Sequence, residues 1–332
     1  MKYKYKKYLL QLTQAQIFIA WMKRIRFKRF DNVSLYEIVK TLLKNLQQDE
    51  ILDRANGVAF NFILAIFPAV IFLFTLIPYV SDYVPYINTQ SIMEFLSEQL
   101  PPSMFEVIES TVLDMVSIQR GGLLSLGFLL SAYLSTNGMV ALMRAFNACY
   151  KTIENRGWFK TRMIATALTV NLALALLVAI ALLIIGAIVL DYITANLHDV
   201  SQLDVDSYTV YMLFVLRFVV IFIVFYLVIS SMYYFGPAIH YNWRFFSVGS
   251  SVSTVLSLAV SYGFSYYVTN FGTYNKIYGS IGVLIALMIW IQLITIVLLA
   301  GYELNASIHD SRRKESIRQA KRVIRRMEAV RG

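Results

Sequence analysis

The side chains that could do chemistry in this chain stand inside or beside long apolar runs, and they are few. Arg217 lies about two turns into one such run. A charge there either faces an anionic group or snorkels back towards water and the acids of segment 191–208. Asn61, Asn171, Gln292 and Thr295 occupy similar settings, and hydrogen bonds between helices account for each. Ser253, Ser257, Ser261 and Ser265 recur every four residues and so line one side of a helix. Such a row is either a close-packing seam or a polar track down which a headgroup or water could move. The candidates for substrate binding or gating are therefore Arg217, Asn171, Gln292, Ser257 and Ser261. Further on, "LLAGYELNA" (298–306) sets a carboxylate, Glu303, just past an apolar run. With Gln292 near the bilayer centre, Glu303 falls ~16 Å along the helix. Half the hydrocarbon core is ~15 Å, so the carboxylate belongs at the boundary. It opposes the dipole of its own helix and calls for a cationic neighbour. Arg144, Lys160 and Arg162 are expected at that level, giving an interfacial ion pair or gate of Glu303, Asn305, Arg144 and Arg162.

No catalytic constellation accompanies these residues. His198, His240 and His309 are scattered and form no His-x-x-x-His or His-Glu-x-x-His pair. The phosphate-cradling G-x-x-x-x-G-K-[ST] loop is absent, and so is a G-x-S-x-G elbow. Cys149 is the single cysteine, which excludes an intramolecular disulfide and argues against a thiolate cluster. The residues predict no enzyme, no metal and no cofactor.

The elements that must position these side chains follow from composition. Of 332 residues, 58% are hydrophobic and 15% charged, against about 45–50% and 25% in soluble domains. Six apolar runs reach the ~20 residues a spanning helix needs: 57–80, 121–143, 163–190, 210–235, 246–268 and 277–302. They are too long for barrel strands and show no alternation, so the fold class is all-α, a polytopic bundle of six transmembrane helices. Segment 1–56 carries twelve Lys/Arg to five acids, loop 81–120 one to six, loop 144–162 five to one, and loop 191–208 none to four. The tail 303–332 carries nine to four. This alternation puts both termini in the cytoplasm. It also explains the net charge of +10 by topology and anionic lipid headgroups rather than by nucleic acid. The partners expected are membrane lipids, with a homo-oligomer left open.

Flanking pieces complete the plan. The first thirty residues lack a signal-peptide pattern, which predicts a retained N-terminus. "SLYE" (34–37) reads as a capping box opening an amphipathic helix, with Leu35, Ile38, Val39, Leu42, Leu43 and Leu46 on one face, lying on the membrane or under the bundle. The stretch 311–328 predicts a basic surface helix. Loop 81–120 predicts two short helices, 90–100 and 103–118, forming an acidic cap outside. In the second run, Gly127, Ser131, Ser135 and then Asn137–Gly138 suit close helix approach, and Pro68 in the first suits a kink.

The stretch 276–306 resembles the last span of the YihY/BrkB family of six-span bacterial inner-membrane proteins. The matching positions are Ile277, Tyr278, Gly279, Ser280, Ile281 and Gly282, then Trp290, then Gly301, Glu303, Leu304, Asn305 and Ala306. "ENRGWFKTR" (154–162) is similar to the family's E-x-R-P-x-x-x-x-R loop, with Gly157 where proline is usual, and "FNFILAIFP" (60–68) to its first span. The resemblance implies a bacterial inner membrane and an association with envelope integrity and lipid export. It also brings an old label, ribonuclease BN, for which these residues supply no metal ligands. The reading is a transporter or translocator of an anionic amphiphile, a lipid or envelope precursor. The alternative is a non-transporting scaffold, with a membrane-associated ribonuclease behind it.

Overall fold

A computed structural model describes residues 16–27, 33–48, 51–81, 89–99, 102–150, 152–196, 207–238, 244–270 and 280–331. A helical stretch, α1 (16–24), leads into a two-stranded antiparallel hairpin, β1 (Arg26–Phe27) and β2 (Val33–Ser34), with Arg26 opposite Ser34. Ser34 Oγ then accepts the Glu37 N–H at 3.4 Å and opens α2 (Leu35–Gln48), the cap its sequence announces.

The long helices are α3 (Ile51–Val80), α6 (Gly121–Cys149), α7 (Trp158–Asn196), α8 (Ser207–Phe235), α9 (Val248–Asn270) and α10 (Ser280–Arg331). Between α3 and α6 lie α4 (Thr89–Gln99) and α5 (Pro102–Ser117), the two expected short helices, with α5 packed on α3. Among the described residues, five helices are long and apolar enough to cross a membrane: Ile51–Val80, Gly121–Cys149, Trp158–Val178, Phe218–Phe235 and Leu284–Lys321. The sixth expected span, 246–268, is present as α9, but its serines hold it below that level of apolarity.

Each long helix packs on the next, and α10 returns to α3, so the six close into a ring. Gly138 admits the Phe62 ring and Gly127 the Phe72 backbone, so small residues bring α6 against α3. Helix α3 runs unbroken through Pro68 and Pro78. The core lies at the basic end of the ring, around Ala55, Met139, Phe146, Tyr233, Leu299 and Tyr302. Phe146, Tyr233 and Tyr302 meet there with ring centroids 4.4–5.4 Å apart.

The tail departs from expectation. No helix ends at Tyr302; α10 is one helix of 52 residues. The sequence offers neither glycine nor proline between Tyr302 and Arg331 to stop it. Its first turns past Tyr302 are also buried. Ile38 and Val33 pack on Ile308 and Leu304, and Ser311 Oγ bonds Thr41 Oγ1 at 3.2 Å. Thus α2 packs on α10 under the bundle.

Candidate functional site

Helix α8 ends at Phe235, leaving carbonyls without intrahelical partners. Arg156, from the loop between α6 and α7, supplies them: Nη2 donates to Gly236 O at 2.7 Å and Nη1 to Phe235 O at 3.3 Å. Glu154 holds that guanidinium in a fork, accepting Nε at 2.7 Å and Nη2 at 2.8 Å. Asn147, buried at the end of α6, donates to Glu154 Oε2 and accepts the Ala238 N–H, both at 2.8 Å. One loop therefore clasps the ends of α6 and α8. The hydrogen-bonded Arg156 guanidinium holds the Glu154 carboxyl below the usual carboxylate range, so the clasp is charged at neutral pH.

Beside the clasp lies a cavity of ≈ 380 Å³. Arg144, Arg156 and Arg162 line it, with Glu154 as the one carboxylate and Asn61, Tyr133, Asn137, Thr161 and Trp158 among the other walls. Arg162 Nη1 donates to Asn137 Oδ1 at 2.5 Å and Nη2 to Tyr133 O at 3.3 Å, while the guanidinium sits 4.3 Å from the Tyr133 ring centre. Arg144 is exposed at the rim. The 39-residue α7 opens at Trp158, so its positive end adds to the field. Trp158 and Phe159 are 76% and 70% exposed, as aromatic side chains at a membrane–water boundary are. Three guanidiniums against one carboxylate, with exposed Trp158 in the wall, concentrate positive charge on this cavity.

The structure brings Arg144 and Arg162 together here and puts Glu303 and Asn305 elsewhere. Glu303 is fully buried, and its Oε1 accepts Asn45 Nδ2 at 2.7 Å. Among the described residues the ion pair expected with Arg144, Lys160 or Arg162 is not seen: Arg162 turns to Asn137, and Asn45 of α2 donates to the carboxylate. Asn305 caps α9, its Oδ1 accepting the Gly249 N–H at 2.8 Å and its Nδ2 donating to Ser247 Oγ at 2.9 Å. Asn171 bonds Ser231 Oγ at 2.6 Å, and Gln292 donates to Asn56 Oδ1 at 2.7 Å. Ser261 accepts from Trp290 Nε1 at 3.2 Å, and Ser257 is buried on the same row. Among the described residues no hydrogen bond links Asn171, Gln292 and the serine pair to one another. Arg217 falls in α8, with its side chain outside the described residues. Sequence reasoning did not nominate Asn45, Asn147, Glu154 or Arg156; the Glu-x-Arg spacing was the available signal for the last two. Among the described residues, no three His, Cys, Asp or Glu side chains gather to hold a metal ion.

The sequence resembles known proteins over most of its length. The family model described as "Virulence factor BrkB" matches residues 42–325. The ribonuclease-like protein YfkH of Bacillus subtilis is 30% identical over 271 residues, covering 82% of this chain and 94% of its own. A UPF0761 membrane protein of Mannheimia succiniciproducens is 23% identical over 272 residues, 80% of this chain and 87% of that one. A UPF0761 membrane protein of Tolumonas auensis is 31% identical over 93 residues, 28% of this chain and 31% of its own. No solved structure matches.

Proposed function

The chain belongs to the BrkB virulence-factor family of multi-pass membrane proteins, and from that premise we propose that it moves an anionic amphiphile, a lipid or envelope precursor, across the inner membrane. The six long helices are its spans, and the basic end, with both termini, faces the cytoplasm. The observation that supports this reading is the cavity with Arg144, Arg156 and Arg162 beside exposed Trp158. A charged headgroup entering there exchanges water for guanidinium, while its acyl chains remain at bilayer depth.

Reconstitution tests the proposal. Purified protein in liposomes carrying headgroup-labelled phosphatidylglycerol is expected to make inner-leaflet label reachable by a membrane-impermeant quencher. Arg162→Lys is expected to slow it by about tenfold, the worth of a lost charged hydrogen bond. No movement with folded protein across several anionic lipids would overturn transport in favour of a scaffold. The relative's ribonuclease-like name sets a second check: metal-dependent RNA cleavage that co-purifies with the wild type and is lost in a cavity variant would replace this non-enzymatic reading.

A further inference from the structure

The three cavity arginines differ in what remains of their hydrogen-bonding capacity. Arg156 spends Nε, Nη1 and Nη2 on Glu154 and the end of α8. Arg162 commits both Nη groups to Asn137 and Tyr133. Arg144 makes no hydrogen bond or ion pair among the described residues, yet it lines the cavity. Glu154 balances one of the three charges, which leaves two cations facing a common space. We infer that this cavity receives a phosphate group, and that Arg144 is the side chain that takes hold of it. The inference rests on the proposed handling of an anionic amphiphile and narrows its chemistry.

Phosphate fits better than carboxylate on geometry. The open donors come from two helices, Arg144 on α6 and the Nε of Arg162 on α7, with the first amides of α7 beside them. Donors carried by separate helices into one cavity are not held to a common plane. A tetrahedral phosphate offers three or four acceptor oxygens to such a set, whereas a carboxylate offers two in one plane. A guanidinium fork suits phosphate oxygens in pairs. The volume, ≈ 380 Å³, lies in the usual range of small-ligand sites, about 300–1,000 Å³, and leaves room for the group esterified to the phosphate. Exposed Trp158 in the cavity wall, next in sequence to exposed Phe159, points to the bilayer as the source.

Binding is measured on the full chain in neutral detergent by native mass spectrometry. The probes are dihexanoyl phosphatidylglycerol, dihexanoyl phosphatidic acid, octanoate and glycerol 3-phosphate. Both phospholipids are expected to bind and octanoate not to displace them. Arg144→Ala is expected to weaken binding by about tenfold or more, Arg144→Lys by less, and Arg313→Ala in the exposed tail not at all. Stronger binding of the lipids than of glycerol 3-phosphate supports a bilayer source. Equal binding keeps the phosphate and overturns that source. Displacement by octanoate, or an unchanged affinity in Arg144→Ala with native unfolding temperature, overturns the inference. Phosphate binding without lipid movement in liposomes would sink transport and leave the site. Lipid movement indifferent to Arg144→Ala would do the reverse.

Discussion

The amide of Asn305 ties α10 to the start of α9, accepting the Gly249 N–H in the first turn of that helix and donating to Ser247 Oγ just before it. Asn305→Ala leaves the Gly249 N–H buried without its acceptor. An expected cost of about 1–2 kcal/mol would appear as a lowered unfolding temperature in detergent, and Asn305→Asp would recover much of it. The Glu154–Arg156 clasp makes a prediction in pH. Because the folded carboxyl titrates below its ordinary value, its contribution is complete above about pH 4.3 and is lost as pH falls through the folded pKa. Thermal unfolding followed down to pH 3 is expected to fall more steeply for wild type than for Glu154→Gln, which lacks the titration. At this scale the sequence was only half legible. It showed that Glu303 stood in an unusual place, because a carboxylate after an apolar run is rare. Its partner Asn45 lies 258 positions away, and neither residue type names the other.

Helix α9 and α10 touch through backbone. A methyl group on Gly249 would stand 2.1 Å from Gly301 O, and one on Gly301 only 1.7 Å from Ser253 Oγ. The two glycines should therefore fail differently. Gly301→Ala meets a side chain, so a second change, Ser253→Gly, is expected to restore part of the lost stability. Gly249→Ala meets a carbonyl that cannot be trimmed, and no single side-chain change should rescue it. Equal rescue of both in a double-mutant cycle would contradict this crossing. At this crossing Ser253 of the serine row is packed, its Oγ bonding Tyr233 Oη at 2.6 Å. Helices were legible in the sequence because long apolar runs have one solution in lipid. Their ends were less so. Hydropathy falls at Tyr302, but a helix stops at a breaker or a cap, and the next residues have neither. The clasp stayed hidden for another reason: loop 152–157 gains its shape from α8, which arrives some eighty residues later.

The whole ring is packed unevenly. In α7, α8, α9 and α10, the described side chains at 169–178, 218–227, 258–268 and 284–294 include none that is buried, while the basic ends of the same helices hold the core. Helices α7 to α10, held at one end, can spread at the other, while α3, α5 and α6 stay packed there through Thr75, Val116 and Gly127. Spin labels at Leu174 and Met288 are expected to give a broad distance distribution by pulsed electron resonance, and labels at Phe159 and Arg313 a narrow one. Narrow distributions at both ends would refute the asymmetry. The unbroken α10 would carry any such motion beyond the bundle. From Tyr302 to Arg331 it continues for ~44 Å at 1.5 Å per residue. A 10° tilt of the last span would swing its far tip by ~8 Å, on that same length. The tail is in this sense a pointer rigidly geared to the membrane part, and a fluorophore near Arg331 would read the bundle's state from well outside the lipid.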